Sequence, residues 1–212
     1  MSWTSRIWEK SLPIYESILS QPFIKELSEG SLSTERFNRY ISQDELYLGN
    51  YGRQMFQFAN LLTDPSERDF FIAFAKSSME GEKIMHQLLI ERGNIDLNVQ
   101  PSVVTSGYNA HTQEALDTGV KEIALAALLP CMWIYNRVGL DILANAKLEG
   151  NPYKEWILEY GNEEFTAGVK MVLDMIDRWA EKSSKELIAQ MDKVFLEATR
   201  FEYDFWEYGY TG

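Results

Sequence analysis

A thiol and two carboxylates interrupt otherwise apolar helical stripes in this chain, and their types are those of a nucleophile and of proton-handling or ligand-holding groups. Cys131 is the only cysteine and follows Pro130 within LLPCMWIY, residues 128–135. Its stripe reads Ala124, Ala127/Leu128, Cys131, Ile134/Tyr135, Val138 and Ile142, with Tyr135 one turn away on the same face. Two roles fit such a cysteine: a small hydrophobe filling the core, or a nucleophile placed where its helix is disturbed. Pro130 removes a helical hydrogen bond, so the backbone beside the sulfur is expected to be kinked and locally unpaired.

Asp44 falls in the middle of a stripe running Phe37, Tyr40/Ile41, Asp44, Tyr47/Leu48, Tyr51, Met55, Phe58 and Leu62. A carboxylate there is costly unless it is paired, hydrogen-bonded or reserved for a polar ligand; an arginine or a tyrosine hydroxyl is the expected structural partner. Glu202 sits on a second stripe, among Ala198, Phe205 and Trp206. Buried there, it would have a raised pKa and exchange protons near neutral pH; at the stripe's edge its head would instead reach water. Tyr40, Tyr47, Tyr51, Tyr108, Tyr135 and Tyr160 are compatible with the same interior, as an aromatic core or as the lining of a pocket for a flat, polar heteroaromatic ligand.

Histidine is scarce. His86 and His111 follow Glu82 and Tyr108 by four and three residues, so neither forms a Glu-x-x-His pair, and no HExxH or CxxC occurs. No metal or other cofactor is expected. His86 is expected to contact a neighbour on its own helix, and His111 to lie near a loop beside Tyr108.

The elements that must position these groups all read as helices, because apolar residues recur every three or four positions and strict alternation is missing. The spans are Thr4–Ser20, Pro22–Glu29, Ser33–Leu62, Pro65–Arg92, Gly107–Thr118, Val120–Leu148, Pro152–Tyr160, Asn162–Ala180 and Ser184–Tyr208. Ser33, Asp64 before Pro65, and Ser184 offer N-caps; Gly93, Gly150 and Gly161 mark stops. Residues 94–106, containing Pro101, read as one long ordered loop. No linker divides the chain, so residues 1–212 are expected to form one domain.

An excess of 32 acidic over 20 basic residues gives a formal charge of -12, which repels nucleic acid and anionic membranes and makes both poor partner candidates. The N-terminus lacks a signal-peptide pattern, and the uncharged run from Ile123 to Tyr135 is too short to cross a bilayer. With a single cysteine nothing points to an oxidising compartment, and a cytoplasmic protein is expected.

In order and spacing, several segments resemble the TenA/thiaminase II family of the cysteine-containing type. They are Ser42-Gln43-Asp44 with Tyr47, Gly107-Tyr108, Pro130-Cys131-Met132-Trp133-Ile134-Tyr135, Asn151-Pro152-Tyr153 with Trp156-Ile157 and Tyr160, and Glu202-Tyr203-Asp204-Phe205-Trp206. The resemblance covers essentially the whole chain. It implies an all-α, haem-oxygenase-like multi-helix bundle without haem, assembled as a homotetramer and acting in thiamin salvage. The implied reaction hydrolyses 4-amino-5-aminomethyl-2-methylpyrimidine to the hydroxymethyl compound and ammonia, with cleavage of thiamin as a second activity. By the same resemblance Cys131 is the nucleophile, Glu202 the acid/base, Asp44 the anchor for the exocyclic amine, and Tyr47, Tyr108, Tyr135 and Tyr160 line the pocket. Tyr47 stands where the family often has Phe, and Tyr208-Gly209-Tyr210 departs from its usual Met-Ala-Tyr ending. Two other functions stay open on these residues: a non-catalytic pyrimidine-binding or regulatory protein, and another enzyme on a haem-oxygenase-like scaffold, which the absence of an N-terminal haem-ligating histidine disfavours.

Overall fold

The computed structural model describes residues 1–93 and 95–212, with side chains for all of these except residues 91–93. Among the described residues there are nine α-helices and no strand: α1 (Trp3–Ser20), α2 (Pro22–Glu29), α3 (Thr34–Ala59), α4 (Pro65–Gly93), α5 (Val103–Asp117), α6 (Lys121–Asn145), α7 (Lys154–Tyr160), α8 (Glu163–Ala180) and α9 (Lys185–Thr211). Asn94, expected to open the long loop, lies outside the described residues.

The predicted caps form. Ser33 accepts from Arg36 N, Ser184 from Leu187 N, and Asp64 from Ser66 N and Glu67 N ahead of Pro65. The main departure is the start of α5, four residues earlier than Gly107. Ser102 is its N-cap, accepting from Thr105 N at 3.0 Å. Gln43 on α3 fixes this start: its Oε1 accepts from Ser102 N and Thr105 Oγ1, both at 2.7 Å, while its Nε2 donates to Gln100 O. Ser42 Oγ lies 2.8 Å from the carbonyl of Asp96. Ser42 and Gln43 thus pin the loop and the helix that carries Tyr108, while the next residue, Asp44, turns to the interior. At the other end α6 stops at Asn145 rather than Leu148, and Gly150 takes a left-handed φ of 77° in the turn that follows.

The bundle is organised around α6. Lys121–Asn145 is long and apolar enough by length and composition to cross a bilayer, contrary to what its uncharged run suggested, yet 89% of its most apolar window is buried inside the protein. Helix α9 lies along it, with α5, α7 and α8 on its other sides and α1 packed against α8 and α9. A helix apolar all round needs such covering on every side. The α-helix continues through Pro130. One contiguous apolar core draws on all nine helices, with a small satellite of Ala115, Ile123 and Ala127 between α5 and α6.

Candidate active site

Three helices deliver the three singled-out groups to the interior. Asp44 on α3, Cys131 on α6 and Glu202 on α9 are 2%, 6% and 1% exposed. Glu202 therefore does not reach water from a stripe edge. Tyr108 on α5 donates to its Oε1 at 2.6 Å. Burial pushes the Glu202 carboxyl up to about 8; the Tyr108 bond works against this and nearby Asp44 adds to it. At neutral pH the group is a protonated acid.

Cys131 is a thiol for the same reasons. Burial raises its pKa well above the ordinary value, and Glu202, Glu82 and Asp44 raise it further, whereas the Tyr47 hydroxyl eases ionisation. That hydroxyl is buried, and among the described residues it has no hydrogen-bond partner of good geometry, so it faces the sulfur without being tied to it. Tyr51 donates to Leu128 O at 2.9 Å, on the turn of α6 that precedes the sulfur.

Rings surround these groups in two clusters. Tyr47 lies 5.5 Å from Tyr51, 4.8 Å from Tyr108 and 5.8 Å from Phe205 between centroids. Tyr135 lies 4.9 Å from Tyr160 and 4.7 Å from Trp206. Tyr40 joins the clusters: its ring is 5.8 Å from Phe205, its hydroxyl donates to Tyr135 Oη at 3.2 Å, and Trp156 Nε1 donates to it at 3.3 Å. Tyr160 is placed by backbone contact with α6. A Cβ on Gly139 would come within 2.5 Å of the Tyr160 carbonyl carbon, and Asn136 Nδ2 donates to the Tyr160 carbonyl oxygen.

The partner of Asp44 is neither an arginine nor a tyrosine. His86 on α4 donates from Nε2 to Asp44 Oδ2 at 3.0 Å and from Nδ1 to Glu45 Oε2 at 2.6 Å. It does not pair along its own helix, because a ring carrying a donor on each nitrogen found two carboxylates on the facing helix. Burial alone would lower its pKa, but the bonds to Asp44 and Glu45 outweigh this and hold it at about 10, an imidazolium. Glu82, one turn earlier on α4, is also missed by sequence reasoning; burial first and Asp44 second push it up to about 8. A cavity of about 160 Å³, partly open to solvent, is lined by Glu45, Gly49, Tyr51, Met79, Glu82 and His86 among others. A larger groove of about 710 Å³ between α4 and α8 contains none of the candidate residues. His111, on α5, contacts the Val194 carbonyl on α9 at 2.9 Å.

Among the described residues no three His, Cys, Asp or Glu side chains are grouped to hold a metal ion. What the arrangement offers is a thiol, protonated carboxyls and one fixed cation inside an aromatic lining. The TENA/THI-4/PQQC family pattern matches residues 8–212. The chain belongs to this family. It is 28% identical to a protein of Halalkalibacterium halodurans named aminopyrimidine aminohydrolase, over 99% of this chain and 96% of that one. A TenA homologue from Pyrococcus furiosus superposes with a TM-score of 0.92 at 22% identity, covering 98% of this chain and all of that one. A Shewanella denitrificans domain described as having a haem oxygenase-like fold gives 0.74 at 16% identity, over 96% and 90%. The fold of this TenA-family chain is accordingly all-α and haem-oxygenase-like, as the resemblance implied.

Proposed function

We propose that this chain is an aminopyrimidine aminohydrolase of thiamin salvage, converting 4-amino-5-aminomethyl-2-methylpyrimidine to the hydroxymethyl compound and ammonia. The observation that carries the reading is that Cys131, Glu202 and Asp44, from three separate helices, are all buried and near enough for each carboxyl to bear on the ionisation of the thiol, among the tyrosines. The full-length relative named for this activity supports it.

In this mechanism Asp44 anchors the exocyclic amine and the ring lies among Tyr47, Tyr108, Tyr135 and Tyr160. An aminopyrimidine is a poor electrophile until a ring nitrogen is protonated. Glu202, protonated at neutral pH, gives its proton to that nitrogen as the Cys131 sulfur bonds a ring carbon, and the thiol proton passes to the carboxylate left behind. Aromaticity is broken, and the ring electrons expel the amine, an ammonium at neutral pH, from the exocyclic methylene as ammonia. Water adds to that methylene and gives its spare proton to the ammonia; Glu202 then protonates the departing sulfur and takes back the proton of the ring nitrogen, restoring the ring. One nucleophile and one proton carrier suffice.

The deciding experiment is ammonia release from the aminomethylpyrimidine by the purified protein and its Cys131→Ser and Glu202→Gln variants. Loss of turnover in the first and a steep drop in the second are expected; full turnover in Cys131→Ser overturns the nucleophile assignment. Calorimetric binding of the pyrimidine without product would make the protein a binding or regulatory one. Parallel assay of thiamin settles the leaving group, which a contact worth about 1–3 kcal/mol can decide. A single cytoplasmic domain assembled as a homotetramer belongs to the same proposal, and light scattering and calorimetric melting test its mass and its single transition.

A further inference from the structure

Asp44 and Glu45 are successive residues of α3, and one ring from α4 takes an oxygen of each. The Asp44 and His86 side chains are each 3% exposed, whereas Glu45 is 48% exposed at the rim of the 160 Å³ cavity. Glu202 is held differently: among the described residues the hydrogen bond it accepts comes from a neutral phenol.

The arrangement has a consequence for recognition. The final torsion of an aspartate is broad and roughly two-fold, so a carboxylate left to itself samples many planes. The exocyclic amine of an aminopyrimidine and the ring nitrogen beside it are coplanar, and an anchor that meets both must share that plane. A charge-assisted bond on one oxygen removes the torsional freedom, and a second such bond on the far nitrogen keeps the donor ring from turning. We infer that His86 is a positioning residue for substrate recognition: braced at Nδ1 by Glu45, it sets the plane of the Asp44 carboxylate toward the pyrimidine. The inference rests on the aminohydrolase reading of the site, which gives Asp44 its ligand.

The alternative is that His86 merely ties α3 to α4. Three variants of the full chain separate the two roles: His86→Ala, Glu45→Gln and Asp44→Asn, followed by KM and kcat for the aminomethylpyrimidine and Kd for the hydroxymethyl product by calorimetry. A misplaced anchor is expected to raise KM and Kd on the order of 100-fold in His86→Ala, with a smaller change in kcat. Exogenous imidazole, admitted through the cavity that His86 lines, is expected to bring both constants part of the way back. Glu45→Gln, whose side chain lies at the rim, is expected to raise them severalfold, and His86→Ala added to Asp44→Asn to cost nothing further.

A folded His86→Ala protein with KM and Kd within twofold of wild type overturns the role, as does imidazole that restores stability and leaves KM unchanged. Should His86→Ala fail to fold, Glu45→Gln decides alone, and unchanged constants overturn the role there too. Wild-type protein that binds the product without turning over substrate removes the aminohydrolase reading and leaves Kd to judge His86. Wild-type protein that binds neither removes both.

Discussion

The Tyr108 hydroxyl donates a 2.6 Å hydrogen bond to Glu202 Oε1 and thereby joins α5 to α9 inside the aromatic lining. The bond stabilises the charged form of a carboxyl that burial drives toward neutrality. Without the phenol, burial and the neighbouring Asp44 act on Glu202 unopposed, and both raise its pKa. The alkaline limb of the kcat/KM profile, near pH 8 for the wild type if Glu202 acts as the acid, is therefore expected to move to higher pH in Tyr108→Phe. A profile measured between pH 6 and 10 checks it; a limb moved to lower pH contradicts the assignment.

Glu202 also links folding to pH. Its pKa climbs from 4.5 to about 8 on folding, so between those values the folded state holds a proton that the unfolded state has released. Stability from this group accordingly falls as pH rises through that window. Glu202→Gln keeps an acceptor for Tyr108 and carries no titration. Relative to wild type it is expected to gain stability from pH 5 to about pH 8 and to level off above that, read from urea unfolding at each pH. A difference between the two proteins that does not change with pH would contradict this.

The resting thiol is set by its neighbours. Removing the Glu82 carboxyl takes away a group that raises the Cys131 pKa, and removing the Tyr47 hydroxyl takes away the one that lowers it. Iodoacetamide should therefore alkylate Cys131 faster in Glu82→Gln and more slowly in Tyr47→Phe than in wild type at pH 8. The single cysteine makes the assay unambiguous.

Gly139 permits the approach of α6 to Tyr160, and the atoms a Cβ would meet are backbone, at 2.5 Å and 2.7 Å. Gly139→Ala cannot be absorbed by rotating a side chain. Overpacking of this kind costs about 1–3 kcal/mol, and at this chain length each kcal/mol lowers Tm by about 2–4 °C. Both a lower Tm and weaker substrate binding are expected, the latter because Tyr160 moves with its backbone.

Much of this was legible along the chain. The 3.6-residue period yields all nine helices of the described residues, since the helices around α6 bury one face each, and Asp44 and Glu202 stand out as polar residues on such faces. The start of α5 was not legible from local signals: Ser102 is an adequate cap, but Val103, Val104 and Thr105 are β-branched, and it is Gln43 from another helix that fixes the turn. His86 escaped for a related reason. Its neighbours at helical spacing do not include Asp44 and Glu45, which lie 42 and 41 positions away and meet it only after α3 and α4 pack. Pro130 falls inside one expected helix, and the helix does run through it, with tertiary cover around α6 to offset the lost backbone bond.

Helix α9 both carries Glu202 and roofs the side of α6 that lies beneath it. On the ribosome, then, the helices that precede α9 emerge with that oily flank of α6 still wet, and Glu202 arrives together with the roof. A polypeptide halted before residue 185 would carry neither the cover nor the carboxyl, and its wet apolar flank would make it prone to aggregate.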